Sequence, residues 1–295
     1  MLGRLLRNPF ALILALLLVA RVPIAWGAAE KAEKTGKGLW VASTGHSLVG
    51  PAMRPFEAIA KAAGYDGHKQ LVQLSGGATG SPRAHWEKPE EKQLMKPALA
   101  TGKWDVLTMG AHFEGSEPDD FARWIDLGLK HNPAMLFYIQ DAWPRLTELL
   151  PGGGKGEKAP EPTFERYQAR MQEINRWIGT TVETLNKKYP GKVRVIPVGD
   201  GMVELVRRQQ AGKLPGVNAI FVPAKEDAGR TALYRDDIHP SGPVATLEGY
   251  IYYACIYKKD PAGVPGRVYS DAALDRILRE VAWKVVAEHP GTGVK

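Results

Sequence analysis

A single cysteine, Cys255, stands in 295 residues, and that scarcity excludes several classes of protein. No intramolecular disulfide can form, and no thiol lies near the N-terminus to be acylated, so a disulfide-stapled scaffold and a bacterial lipoprotein anchor both drop out. Cys255 lies inside the apolar stretch Tyr250–Ile256, where a buried small hydrophobe is expected rather than a nucleophile. The chain has no block of five or six like charges and no zinc-finger or RNA-binding spacing, so nucleic acid is not an expected partner. It has no HExxH, no paired cysteines and no histidines at ligand spacing, so no catalytic metal or other cofactor is expected.

What is present is ordinary for a globular protein. The chain is 44% hydrophobic and 24% charged, which excludes collagen-like, mostly disordered and polytopic membrane proteins. A length near 300 residues lets a folded chain bury roughly 75% of its unfolded surface, enough for one α/β domain. Residues 1–27 carry Arg4, Arg7 and Arg21 and no acid, so removing them lowers the net charge from +7 to a weak +4. Arg4 and Arg7 precede the apolar run Phe10–Ala20, and Ala25-Trp26-Gly27-Ala28-Ala29 supplies small residues for cleavage near 27–29. This is the order of a secretory signal. The run is about half the ~20 residues of a spanning helix. The expectation is a secreted or periplasmic protein with no stable membrane insertion after cleavage: a signal at 1–27, a charged linker at 28–38 and a single domain at 39–295.

Past the linker, short apolar runs alternate with amphipathic stretches, the pattern of βαβ units on a parallel sheet. Strands are expected at Leu39–Ser43, Lys69–Leu74, Trp104–Met109, Ala134–Ile139 and Val193–Val198. Helices are expected at Pro51–Ala63, Pro82–Ala100, Pro118–His131, Thr163–Lys188, Gly201–Ala211, Gly242–Tyr257 and Asp271–His289. Pro151–Pro162 and Gly212–Ala232, both punctuated by Gly and Pro, read as surface loops. In an open parallel sheet, ligands bind beyond the carboxyl ends of the strands. Those ends carry Thr44-Gly45-His46-Ser47, Ser75-Gly76-Gly77, Gly110-Ala111-His112, Gln140-Asp141 and Gly199-Asp200.

Two segments can carry chemistry. Ser47 in Gly45-His46-Ser47-Leu48 lies on the turn from the first strand into a helix, where its hydroxyl and backbone N–H are both available. Asp236-Asp237-Ile238-His239-Pro240-Ser241 precedes a helix near the C-terminus. A serine needs a base to become a nucleophile, and the base needs an acceptor on its other ring nitrogen. An Asp three residues before a His can supply that acceptor.

Four blocks in order resemble the SGNH, or GDSL-type, hydrolases: Gly45-His46-Ser47-Leu48, with His46 where Asp is usual; Gly76 or Gly77; Gly110-Ala111-His112 at the place of a Gly-x-Asn block; and Asp236-x-x-His239-Pro240. The resemblance spans Leu39 to about Ile256. It implies an α/β fold, a three-layer α/β/α flavodoxin-like sandwich with a parallel sheet of about five strands. It also implies Ser47 as nucleophile, His239 as general base, Asp236 as the carboxylate that orients it, and the N–H groups of Ser47 and of Gly76 or Gly77 as an oxyanion hole. His112 falls where the family has its Asn donor. The implied activity is cofactor-free ester hydrolysis on a small-molecule or polysaccharide acyl ester, with carbohydrate deacetylation foremost. A degenerate glycan-binding module and a polysaccharide O-acetyltransferase are the alternatives. The Gly-x-Ser-x-Gly signature of α/β-hydrolases is absent.

Simpler roles stand beside these. Ser47 can cap the following helix, His239 can cap its own, Asp236 can pair with Arg235, and His46 is expected on the rim of the site. Trp86, Phe113 and Trp143 are the aromatics expected near a bound sugar or acyl group, whereas Trp124, Tyr167, Trp177 and Trp283 fit helix core positions. The sequence does not indicate an oligomeric state.

Overall fold

The computed structural model describes residues 36–113, 115–149, 162–221 and 231–294. The expected signal, all but the last three residues of the linker, and all but the last residue of the loop Pro151–Pro162 lie outside them. The strands are β1 (Gly36–Lys37), β2 (Trp40–Gly45), β3 (Tyr65–Asp66), β4 (Lys69–Leu74), β5 (Val106–Gly110), β6 (Leu136–Gln140), β7 (Val193–Ile196), β8 (Val217–Phe221) and β9 (Thr231–Tyr234). The helices are α1 (Gly50–Ala62), α2 (Pro82–Trp86), α3 (Met95–Ala100), α4 (Pro118–His131), α5 (Leu146–Leu149), α6 (Phe164–Lys188), α7 (Val198–Gln210), α8 (Gly242–Tyr257) and α9 (Ala272–Glu288).

All five expected strands form one parallel sheet in the order β4-β2-β5-β6-β7. Its three central strands are almost wholly buried, as a sheet covered on both faces requires. Helices α1, α8 and α9 pack together as one layer, and α3, α4 and α6 form the other. Almost every residue of α8 from Pro243 on is buried, which accounts for the absence of a polar face in Gly242–Tyr257. Its tyrosines still find partners at their hydroxyls: Tyr250 donates to Asp275 Oδ1 at 2.7 Å, and Tyr252 donates to Gln140 Oε1. Cys255 is buried, as expected.

Three expectations need correction. The helix Pro82–Ala100 is broken into α2, a 3-10 turn at Glu90–Lys92 and α3. Pro89 lacks an N–H and drives Lys88 toward extended backbone, and Gln73 Oε1 then accepts the N–H groups of Leu94 and Met95, both at 3.1 Å, where α3 starts. Helix α7 begins at Val198, three residues before the expected Gly201, because Asp141 Oδ1 accepts the Gly199 N–H at 2.8 Å and satisfies its first turn. The loop expected at Gly212–Ala232 contains β8 and the start of β9, which pair in parallel.

Candidate active site

Ser47 sits in a tight turn beyond β2, closed by the Val49 N–H donating to the His46 carbonyl at 3.0 Å. The approach to this turn is tight: a Cβ on Gly45 would lie 2.5 Å from Val49 Cγ2 and 3.3 Å from Gly110 Cα on β5, so both strand ends need glycine. The Gly45 carbonyl accepts from the Ser75 N–H at 3.1 Å and from His85 Nε2 at 2.9 Å. Helix α1 starts with Val49 as N-cap and no side-chain cap, so Ser47 is not a capping residue. Its side chain is exposed, while Leu48 and Val49 beside it are buried.

The candidate acid-base segment, Arg235–Ser241, lies between β9 and α8. Arg235 N–H donates to the His239 carbonyl at 3.0 Å and Ser241 N–H to the Leu233 carbonyl at 2.9 Å, closing residues 235–240 into a compact loop. Within it, Asp236 Oδ1 accepts the backbone N–H groups of Ile238 and His239 at 3.0 and 2.7 Å. The carboxylate also lies 2.8 and 3.0 Å from His239 Nδ1. An ionised carboxylate only accepts, so Nδ1 carries the proton and Nε2 presents its lone pair to Ser47 Oγ, 2.8 Å away. Burial alone would raise the Asp236 pKa, but the two amides and the imidazole outweigh it and hold the carboxyl below its ordinary range. Arg235 Nε is 4.0 Å from Asp236, a peripheral contact beside those bonds. The N-cap of α8 is Ser241 rather than His239.

The candidate oxyanion donors surround the same serine. Among the described residues the N–H groups of Ser47, Gly76 and Gly77 have no acceptor. Gly77, at a φ of +50° that favours glycine, lines the cavity at Ser47; Gly76 does not. His112 also lines it, with its backbone N–H donating to Ser116 Oγ at 2.9 Å and its ring edge-on to His46.

That cavity, about 200 Å³, is walled by Phe113, Trp143, Ile174, Trp177 and Ile238, with Arg145 and Glu148 at its polar side. Trp177, expected in the core, is part of the wall, stacked on Phe113 at 5.1 Å between centroids. Trp86 is not; it meets Trp124 edge-on at 4.9 Å. The Trp143 indole donates to the Ile238 carbonyl at 2.8 Å, and Asp237 accepts from the Thr147 N–H and hydroxyl at 2.9 and 3.1 Å. The wall 141–149 is thereby fastened to the segment that carries His239.

Against known structures, a DUF4886 family protein from Bacteroides uniformis ATCC 8492 superposes with a TM-score of 0.59 at 12% identity, over 85% of this chain and 96% of that one. The chain has the three-layer α/β/α fold. A candidate GDSL-like lipase from Parabacteroides merdae ATCC 43184 is similar at a TM-score of 0.43 and 12% identity, over 76% and 98% of the two chains. The periplasmic domain of a Salmonella ser. Paratyphi A lipopolysaccharide acetyltransferase is similar at 0.46 and 11%, over 77% and 86%. No family model and no curated protein matches the sequence.

Two supports of the site were missed in the sequence. His46 lines the cavity, as expected of a residue that shapes the site, but it is also buried under the turn, with Nε2 2.8 Å from the Ala111 carbonyl. His85 is fully buried behind Gly45. Burial lowers both imidazole pKa values and favours the neutral rings. His46 stands in the nucleophile block, but nothing in the block shows its contact with Ala111; His85 shows no spacing or motif, and only the chain's return to β2 brings it to Gly45. Among the described residues no group of three His, Cys, Asp or Glu side chains could hold a metal ion, and no helix is long and apolar enough to cross a membrane.

Proposed function

We propose that this protein is an SGNH-type serine esterase that cleaves acyl esters through an acyl-enzyme. The observation that carries the reading is the hydrogen-bond chain from Ser47 Oγ through His239 to Asp236. In the first step Ser47 Oγ bonds to the ester carbonyl carbon and its proton passes to His239 Nε2, while Asp236 stabilises the imidazolium. The negative charge on the carbonyl oxygen is met by the N–H groups of Ser47 and Gly77, with His112 as a third donor. Collapse breaks the bond to the leaving alkoxide, which takes the proton from His239. Water, deprotonated by the same nitrogen, then attacks the acyl carbon and restores Ser47 as the acid departs. No step calls for a cofactor.

The substrate class we propose is an O-acylated carbohydrate. The aromatic wall of Phe113, Trp143 and Trp177 offers apolar faces, and Arg145 and Glu148 beside it offer the charged partners that sugar hydroxyls use. Export through residues 1–27 is part of the same proposal, since acylated polymers are extracellular. The test is fluorophosphonate labelling of the chain from Ala28 onward, with Ser47→Ala and His239→Ala as controls and peptide mapping of the product. Label on Ser47 that requires His239, together with release of acetate from acetylated glycan, is the expected result. A folded protein that takes no label contradicts it.

A further inference from the structure

The residue that follows the candidate nucleophile, Leu48, has both of its backbone polar groups held by buried side chains. The Leu48 N–H donates to His46 Nδ1 at 3.3 Å, and the Leu48 carbonyl accepts from Gln140 Nε2 at 3.0 Å. Because Nδ1 accepts, the ring proton resides on Nε2, which donates to the Ala111 carbonyl at 2.8 Å. Gln140 is fixed in turn by the Tyr252 hydroxyl on its Oε1. Both side chains are nearly or wholly buried, His46 at 4% and Gln140 at 0% exposure. The two bonds restrain the peptide planes on either side of Leu48, Ser47–Leu48 through its N–H and Leu48–Val49 through its carbonyl. The Ser47 carbonyl belongs to the first of these peptides, so the backbone that carries Oγ is fixed on that side.

We infer that His46 and Gln140 are positioning residues that fix the nucleophile turn, and that the essential atom of His46 is the acceptor Nδ1. That nitrogen is bonded to Cγ, as Oδ1 is in Asn and Asp, so all three side chains present an acceptor at the same distance from the backbone. An acceptor there binds the N–H two residues on, the geometry of an Asx-turn. The residue at this position is therefore exchangeable among acceptors of that reach. The second bond, from Nε2 to Ala111, ties the turn to the strand end that carries His112 and is available only to histidine.

This role in turnover rests on the esterase reading, whereas the holding of the Leu48 amide does not, and the test separates them. Hydrolysis of 4-nitrophenyl acetate, the rate of fluorophosphonate labelling, thermal midpoint and hydrogen exchange at the Leu48 amide are measured for wild type, His46→Ala, His46→Asn and Gln140→Met. Losing one such bond should lower kcat and the labelling rate by about tenfold with KM little changed. His46→Ala should also speed exchange at Leu48, His46→Asn should restore both the slow exchange and most of kcat, and Gln140→Met should lower kcat with exchange less affected. If folded His46→Asn is as impaired as His46→Ala, or if Leu48 exchanges equally fast in wild type and His46→Ala, the inference is wrong. A wild type that takes no label overturns the esterase reading alone, and exchange at Leu48 still decides whether His46 holds the turn.

Discussion

The two arms of the candidate triad are built differently. The nucleophile arm, Thr44–Val49, is buried except for Ser47 and rests on strand ends, on the close approach of Gly45 to Gly110, and on His85 and Gln140. The acid-base arm is half in solvent, with the Asp236 side chain 49% and the His239 side chain 27% exposed, and hydrogen bonds to the neighbouring wall hold it. Core packing places the first arm, and a loop-to-loop clamp places the second. The first should therefore be hard to move without unfolding, and the second should be movable with the fold intact.

The largest effects are expected at the candidate triad itself. Ser47→Ala and His239→Ala should each cut kcat by about 10⁴-fold or more. The thermal midpoint should hardly change, because Ser47 is exposed and His239 packs no core. A large fall in midpoint with activity per folded molecule retained would contradict the assignment. Asp236→Asn leaves the shape but removes the charge that fixes the tautomer and stabilises the imidazolium, and about 10²–10⁴ in kcat should be lost.

Substitutions beside the triad test the contrast itself. Asp237→Ala removes both bonds to Thr147 and the 3.7 Å contact with Arg145, all on exposed groups. It should cost about tenfold in kcat, with stability lowered by no more than ~1 kcal/mol. His85→Ala deletes a fully buried ring and its bond to the Gly45 carbonyl, and should cost about 2–4 kcal/mol by urea denaturation. If Asp237→Ala unfolds the protein, or His85→Ala leaves its urea midpoint unchanged, the arms do not differ as described.

Much of this was legible in the sequence. The five strands of the parallel sheet and the strand-end positions of Ser47 and Gly77 follow from apolar runs that end in Gly and Ser. Asp236 and His239 are close in sequence, so their pairing needs only one turn. The broken helix at 82–100 hid because its apolar spacing continues across Pro89, and β9 hid because Thr231–Tyr234 is too short to show alternation. The roles of His46, His85 and Trp177 depend on contacts from residues far along the chain, such as Phe113 for Trp177 and Ala111 for His46, which no local pattern encodes.

The smallest predicted effect concerns the interior behind both arms. Glu248 on α8 is 1% exposed, and neither of its carboxylate oxygens has a hydrogen-bond partner among the described residues. Burial first, and the neighbouring Asp141 second, push its pKa well above the ordinary value, so the folded state holds it protonated. In the unfolded chain the same group ionises near its ordinary pKa. The unfolded state thus releases a proton as pH rises past about 4.5 while the folded state keeps it, and folding stability falls with rising pH. Glu248→Gln, which cannot ionise in either state, should escape that loss. The thermal midpoint of the variant relative to wild type should rise as pH increases above about 4.5, with activity per folded molecule unchanged because Glu248 touches no residue of the candidate triad. A difference that stays constant with pH would mean that Glu248 is charged in the fold and has a cationic or solvent partner.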